Sequence, residues 1–328
     1  MDGQLSKINS ADLIQPNQSS FWFALFADYF IVAGCLILGS RSLDGNPMLW
    51  FLWPLLWFIV GSRQHALLIL MHETSHGLAL RSSRLNDFVG DIFCAAPFFV
   101  KMRSYRADHL AHHKWNNTNR DPDWIRKHAN AKVREGWTYP KDILNFRFGL
   151  RFWQNAIAYH FASVDRANSA IELVEKKQHK FMRGTAYLAT IMIIFLMGFL
   201  EEFLLFWVFP FVFVTPVLLR IRSVAEHFGL PYKDTYSETR DVVFRNRFEQ
   251  YIFAPHNIGY HLTHHLYANV PMSALPRLQN RLAQNSDYAQ RAQVNDGYFS
   301  GLNPVFRDLT TIQAQRCLWE NGEPQHDV

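Results

Sequence analysis

The 328-residue chain contains little cysteine: Cys35, Cys94 and Cys317 are its only three, and they lie far apart. Without a CxxC pair, the chain cannot hold a zinc ribbon, a rubredoxin-like iron site or a ferredoxin-like cluster on its own thiolates. It also lacks a lysine- or arginine-rich tract, and its net charge is only +5, which argues against nucleic acid as a partner. The polar first 20 residues carry no signal-peptide pattern.

Apolar residues come instead in long blocks, with 28 Phe and 10 Trp in the chain. The expected fold class is an all-α integral membrane protein, with about four transmembrane helices and a cytoplasmic helical cap. A helix needs about 20 apolar residues to cross a bilayer core, and the predicted spans are 21–40, 48–71, 185–200 and 203–219. They belong to one domain over 21–328, preceded by the polar segment 1–20.

Three features modify this picture. The segment 88–100 is apolar but too short to cross, so it is predicted to be re-entrant or interfacial. In the last span, Pro210 and Pro216 predict kinks. Asp28 and Arg63 are charges inside predicted spans and need partners, and one hypothesis pairs them with each other.

The side of the membrane follows from the loop charges. Four crossings would place both termini, and the polar regions 72–184 and 220–328, on one side. The two loops on the far side contain Arg41 as their only positive charge, against Asp44 and two glutamates. Because positive residues are retained in the cytoplasm, the polar regions are predicted to be cytoplasmic.

Nine histidines form a pattern that composition alone does not produce. They occur in HETSH, HLAHH, AEH and HLTHH and are His72, His76, His109, His112, His113, His227, His261, His264 and His265. Residues three or four apart share a helix face, so each box can present its imidazoles to one region. Imidazole is a common ligand of transition metals. Nine imidazoles without cysteine exceed the needs of one structural zinc, and two iron ions fit the number better.

The boxes and their surroundings resemble the membrane fatty acid desaturase superfamily, which includes acyl desaturases, acyl hydroxylases and carotenoid ketolases and hydroxylases. HLAHHKWNNTNRDPDW resembles the family segment in which DPD follows the second box. The segment TRDVVFRNRFEQYIFAPHNIGYHLTHHLYANVPMSALPRL resembles the third-box region, and AEH matches the position of an additional ligand. The resemblance covers about 50–125 and 220–280.

The resemblance implies a di-iron centre that activates O2, with the nine histidines as ligands and a membrane lipid or other acyl compound as substrate. The chain has no haem-binding or cysteine-based carrier motif, so the electron donor is expected to be a separate protein of ferredoxin, rubredoxin or cytochrome type. The similarity favours desaturation of a fatty acyl chain. A hydroxylase or ketolase of lipid or carotenoid remains open, because both reactions begin with hydrogen abstraction. A remoter alternative is a non-catalytic membrane protein that binds metal or haem.

Several polar residues close to the boxes could orient the ligands, since metal-bound histidines usually donate their second N–H to a carboxylate or carbonyl. His256 could also contact substrate, and Asn257 could hold a metal-bound water. The possible second shell is Asn257, His256, Glu73, Asp108, Glu226, Asp121 and Asp123.

Overall fold

A computed structural model describes residues 9–43, 47–116, 120–122, 177–227, 230 and 234–307. Two short strands, β1 (Arg240–Val242) and β2 (Gln293–Asn295), pair in parallel, with Asp241 opposite Val294. The rest of the regular structure is helical. The helices are α1 (Gln18–Leu43), α2 (Trp53–Ser75), α3 (Ser83–Val89), α4 (Met102–Trp115), α5 (Lys177–Leu196), α6 (Leu200–His227), α7 (Arg247–Phe253), α8 (His261–Leu266), α9 (Leu275–Leu282) and α10 (Ser286–Arg291).

Within the described residues, three helical stretches are long and apolar enough to cross a membrane: Gln18–Leu43, Leu49–Ser75 and Leu200–His227. They contain the predicted spans 21–40 and 203–219, and all of 48–71 except its first residue. On α1, Phe23 and Phe30 are each more than three-quarters exposed, as a lipid-facing surface requires. The all-α membrane class is therefore confirmed.

The fourth predicted span, 185–200, corresponds to α5, but this helix ends earlier than predicted. The apolar part of this helix is Phe181–Leu196, which reaches about 24 Å at 1.5 Å per residue, less than the roughly 30 Å of a bilayer core. The helix ends at Leu196, and Gly198 has a positive φ of 71°. Because glycine adopts this backbone conformation readily, the chain turns before the predicted end. A crossing by α5 remains a prediction.

The last span is interrupted, as its prolines predict. Residues Leu204–Val208 are π-helical, and the α-helical pattern is broken again between Phe213 and Thr215. Proline removes a backbone hydrogen bond and clashes with the preceding turn.

The segment 88–100, which was predicted to be too short to cross, is irregular. Its π-helical part, Gly90–Ala95, is followed by a 3-10 turn at Ala96–Phe98. Cys94 and Phe98 in this segment are buried.

The charges at Asp28 and Arg63 do pair. Arg63 Nη1 lies 3.0 Å from Asp28 Oδ1, both side chains are buried, and the guanidinium sits 3.6 Å above the ring of Tyr251. A buried charge is tolerated when it is paired and hydrogen-bonded. The pair therefore holds α1 against α2 and ties α7 to both.

The cap packs directly on α2 through one hydrophobic core. Leu67 and Ile69 of α2 share this core with Leu262 of α8 and with Leu275 and Leu278 of α9, and all five are fully buried. Burial of a leucine-sized side chain stabilises the fold by about 1.5–3 kcal/mol. This packing places the third histidine box beside the first.

Candidate metal centre

Four helices bring the nine histidines to one place. His72 lies in the last turn of α2, and His76 follows its last residue, with its N–H still directed at the His72 carbonyl. Helix α6 ends at His227. The other boxes lie on α4 and α8 and supply His109, His112, His113, His261, His264 and His265.

The first group consists of five histidines, whose ligand atoms all lie within 4.8 Å of one another: His72, His76, His109, His113 and His264. The Nε2 atoms of His76 and His109 are 2.9 Å apart, and those of His113 and His109 are 3.0 Å apart. Nitrogens bound at right angles to one metal, at about 2.1 Å each, would be about 3 Å apart. The spacing therefore fits ligands around one ion.

The second group consists of four histidines, His112, His227, His261 and His265. The Nε2 atoms of His261 and His227 lie 2.9 Å apart. The two groups are neighbours, because the ring of His113 stacks on that of His265 with 4.2 Å between centroids. Two ions could thus be held side by side.

Each HxxHH box divides between the groups. The pair His109 and His113, four residues apart, belongs to the first group, whereas His112 turns to the second. On α8 the division is reversed, because His261 and His265 join the second group and His264 the first. Consecutive residues point about 100° apart on a helix, so neighbouring histidines in one box serve different sites.

Burial favours the neutral form of several of these imidazoles. His72 and His264 are each only 1% exposed. Loss of solvation, followed by the neighbouring imidazoles, lowers the pKa of His109, His264 and His265 well below 6.5. Burial also lowers the pKa of His76 to about 4. Neutral imidazole is the form that binds metal.

Unsatisfied ring nitrogens supply a further test of fit. Both nitrogens of His72 and Nε2 of His265 are buried and have no hydrogen-bond partner among the residues that the structure describes. Buried polar atoms are nearly always paired, and a bound metal would satisfy one nitrogen of each ring. The two groups consist entirely of imidazole, a ligand that suits iron, zinc, copper and nickel. The residues present therefore fit metal ions.

Two predicted second-shell carboxylates lie beside the second group. His112 Nδ1 lies 2.9 Å from Asp121 Oδ2, which leaves Nε2 of the same ring for a metal. Glu226 Oε2 is 3.7 Å from His261 Nε2, and Glu226 Oε1 accepts a hydrogen bond of 2.7 Å from Arg222. Asp108 is buried on α4. Asp123 lies outside the described residues.

Three other predicted second-shell residues point elsewhere. His256 Nε2 lies 2.8 Å from Asp28 Oδ2. Asn257 accepts from Gln250 and donates to the carbonyl of Met272, whose own N–H donates to Glu73 Oε1 at 3.1 Å. His256, Asn257 and Glu73 line a cavity that none of the nine histidines lines. Glu73 is next to His72 in sequence, but one residue along a helix turns the side chain about 100° away.

Sequence reasoning missed Asp241, which anchors the third box. Its buried carboxylate accepts hydrogen bonds from Thr263 N at 2.9 Å, from the Thr263 hydroxyl, and from Tyr288 Oη at 2.5 Å. Thr263 lies between His261 and His264, so this acid fixes the position of α8. In the sequence, the only indication of this role is an acidic residue beside a short apolar segment.

These features define a helical membrane protein with a buried, all-histidine centre that could bind metal. Residues 48–295 match the family model for fatty acid desaturase. Since this match covers most of the chain, the protein belongs to the fatty acid desaturase family, and the resemblance stated from the histidine boxes is confirmed.

Named relatives extend the comparison. Dihydrorhizobitoxine desaturase of Bradyrhizobium elkanii is 28% identical over 292 residues, covering 83% of this chain and 78% of the relative. The sn-1 acyl-lipid omega-3 desaturase (ferredoxin) of Synechocystis is 27% identical over 281 residues, with coverage of 76% and 72%. The sn-1 oleoyl-lipid 12-desaturase of Arthrospira platensis is 25% identical over 236 residues, with coverage of 68% and 66%.

Proposed function

We propose that this protein is an O2-dependent di-iron desaturase that introduces a double bond into the acyl chain of a membrane lipid. The observation that carries the proposal is the pair of neighbouring histidine groups, of five and four residues, at the ends of membrane helices. Membership of the desaturase family and relatives named as acyl-lipid desaturases support it.

The proposed cofactor is two iron ions, one held by His72, His76, His109, His113 and His264 and the other by His112, His227, His261 and His265. Bound iron would supply the O2-dependent redox chemistry that zinc lacks. An imidazole-only ligand set is compatible with iron. The protein contributes a rigid, buried site, since each group draws on three or more separate segments of the chain.

The side chains around the centre prepare it for that chemistry. Burial lowers the pKa of His76, His109, His264 and His265, which keeps these four imidazoles neutral, and it limits access of bulk water. Asp121 holds His112 in one orientation, because a carboxylate at Nδ1 accepts the proton there and leaves Nε2 free for metal. Glu226 Oε2 lies 3.7 Å from His261 Nε2, the nitrogen that faces the second group, so Glu226 would instead place a negative charge beside the second ion. Asp121 therefore has a positioning role, through imidazole and not through substrate.

Electrons would come from a separate protein. We infer a ferredoxin-type donor, because the omega-3 desaturase of Synechocystis is named with ferredoxin; rubredoxin- and cytochrome-type donors are the alternatives. We place the centre and both termini on the cytoplasmic side, because the lysines and arginines lie almost entirely on the histidine side of the predicted spans.

The proposal is tested by expression in a host that lacks native desaturases, followed by mass spectrometry of total lipids. A new lipid two mass units lighter, with a double bond located by fragmentation, is expected. The His264→Ala variant should form none, although the protein still inserts in the membrane. A hydroxylated or oxygenated product would identify a hydroxylase or ketolase. Zinc or haem in place of iron in the purified protein would favour the non-catalytic alternative.

A second candidate is desaturation of a substrate that is not an acyl lipid. The specific observation is the match to dihydrorhizobitoxine desaturase, which extends over 83% of this chain. The same expression strain distinguishes an acyl-lipid substrate from a soluble one if soluble metabolites are analysed together with the lipids. An unchanged lipid profile with a new unsaturated soluble compound would favour this candidate.

A further inference from the structure

A cavity of about 360 Å³ lies between α1, α2 and α7, and none of the nine histidines lines it. Asn17 and Ser20 line it, and they mark the beginning of α1, a membrane helix. Phe21, Ala24 and Leu70 contribute an apolar wall. Because helix ends lie at the level of the lipid head groups, the cavity is accessible from that layer. Its volume is within the range of small-ligand sites.

Glu73 gives the cavity an unused acceptor. The side chain is 5% exposed, and its Oε1 accepts the N–H of Met272 at 3.1 Å. Its Oε2 is buried and has no hydrogen-bond partner in the part of the chain that the structure describes. A buried carboxylate is costly unless it is paired with a cation or hydrogen-bonded. A ligand that brings an ammonium group to Oε2 would remove that cost.

Three other polar side chains in the cavity are already occupied. Both oxygens of Asp28 are engaged, by Arg63 at 3.0 Å and by His256 at 2.8 Å. Gln250 and Asn257 hydrogen-bond to each other at 3.2 Å. Among these carboxyl and amide side chains, Glu73 therefore has the acceptor that remains for a ligand.

Arg247 supplies a positive charge at the exposed edge of the cavity. Its Nη1 donates to Gln250 Oε1 at 2.9 Å, which holds the guanidinium at the cavity edge. A guanidinium held in this way suits a phosphate, which it can bind through two parallel hydrogen bonds. The cavity thus combines a buried acceptor with an outer cation.

Backbone strain occurs at the same place. His256 and Asn257, two successive non-glycine residues, have φ values of 53° and 64°. Left-handed backbone at a non-glycine residue costs about 1–3 kcal/mol, and such residues concentrate at ligand sites. The strained pair carries the side chains that close one wall of the cavity.

We propose that this cavity binds a zwitterionic head group with a primary ammonium on Glu73 and a phosphate on Arg247, the chemistry of an ethanolamine phospholipid. The apolar wall formed by Phe21, Ala24 and Leu70 would contact the first carbons of the attached lipid. The site lies on another face of α2 from the metal centre, and it does not depend on the proposed reaction. It would hold a particular lipid class beside the enzyme.

The test measures binding of short-chain phospholipids to the full-length, detergent-purified protein by isothermal titration. Short-chain phosphatidylethanolamine is expected to bind at least about tenfold more tightly than phosphatidylcholine and phosphatidylglycerol of the same chain length, which is about 1.4 kcal/mol. Phosphatidylcholine has no N–H donors, and phosphatidylglycerol has no cation. Equal binding of the three lipids would overturn the proposal. Titration with free phosphoethanolamine shows whether the natural ligand is a lipid or a soluble compound. An affinity comparable to that of phosphatidylethanolamine identifies a soluble ligand, and an affinity at least tenfold weaker identifies a lipid.

Variants connect the affinity to the two residues. Glu73→Gln and Arg247→Gln should each weaken phosphatidylethanolamine binding about tenfold. Arg245→Gln is the matched control, because Arg245 pairs with Asp296 at 3.0 Å and does not line the cavity. Arg247 is exposed, so its variant decides the question if Glu73→Gln does not fold. Unchanged affinity in Arg247→Gln contradicts the proposal. Lipid binding should persist in the inactive His264→Ala protein, which separates this test from that of the proposed reaction.

Discussion

The Nδ1 atom of His112 lies 2.9 Å from Oδ2 of Asp121, and both side chains are buried. This contact connects the second box to the DPD segment that follows it. Among the predicted second-shell acids, Asp121 makes a direct contact with a histidine of the second group. The contact fixes which nitrogen of His112 faces the centre.

Replacing Asp121 by Asn should therefore weaken metal binding in the second group. Loss of such a partner typically lowers metal affinity or activity 10- to 100-fold. Iron content and turnover of the purified variant provide the measurement. Asp12→Asn is the control, since Asp12 is an exposed partner of Arg281. Wild-type iron content and turnover in Asp121→Asn would show that the contact has no effect on the metal.

Single alanine substitutions should remove one metal at a time. His264→Ala weakens the first group and His261→Ala the second, so each variant should retain about half of the wild-type iron and lose turnover. The double variant should retain almost none. His256→Gln is a matched control because His256 contacts Asp28, and it should keep the full iron content. Loss of all iron in both single variants would mean that the two groups do not bind independently.

Acidification should destabilise the metal-free protein. Burial lowers the pKa of His76 from 6.5 to about 4, and the pKa values of His109, His264 and His265 are lowered as well. In the unfolded chain these groups take up protons near pH 6.5. Below that pH the unfolded state binds more protons than the folded state, so stability falls as the pH decreases from 6.5 toward about 4.

The measurement is the thermal unfolding midpoint of the chelated protein in detergent, followed by tryptophan fluorescence. The iron-loaded protein should show a smaller decrease between pH 6.5 and pH 5.5, because bound metal competes with protons for the imidazoles. A midpoint of the chelated protein that does not change between pH 7.5 and pH 5 is incompatible with buried neutral histidines.

Substitution of Asp241 should disturb the third box without touching a metal ligand. Asp241→Asn removes an acceptor from the Thr263 and Tyr288 hydroxyls, and an unsatisfied buried group costs about 1–3 kcal/mol. A lower unfolding midpoint and weaker iron binding are expected. Tyr288→Phe should show the same direction with a smaller effect, and the exposed Asp287→Asn should show none. Weaker iron binding in Asp287→Asn alone would argue against the role of Asp241.

Much of the site was predictable because it depends on local spacing. Histidines three and four residues apart must share a helix face, and apolar runs of about 20 residues must find lipid or protein. The pairing of Asp28 with Arg63 could also be predicted from the sequence, since each charge needs a partner inside an apolar span. The comparison with the desaturase family confirms the class of protein that the boxes predicted.

Other features depend on contacts that sequence proximity does not report. Glu73 and Asn257 lie one and four residues from box histidines, yet both line the cavity on another face of α2. Asp241 precedes Thr263 by 22 residues and still holds it. In each case the direction of the side chain depends on how α8 and the 247–257 segment pack on α2.

The amino-acid sequence by itself determined the ligand type, the number of histidines and the helical elements that carry them, because these follow from residue chemistry and periodicity. Only the tertiary structure decided that His109, His113 and His264 belong to one group and His112, His261 and His265 to the other. The physical reason is that α4 and α8 face each other across the centre. Each helix then directs adjacent histidines to different sites, and that arrangement exists only once the helices have packed.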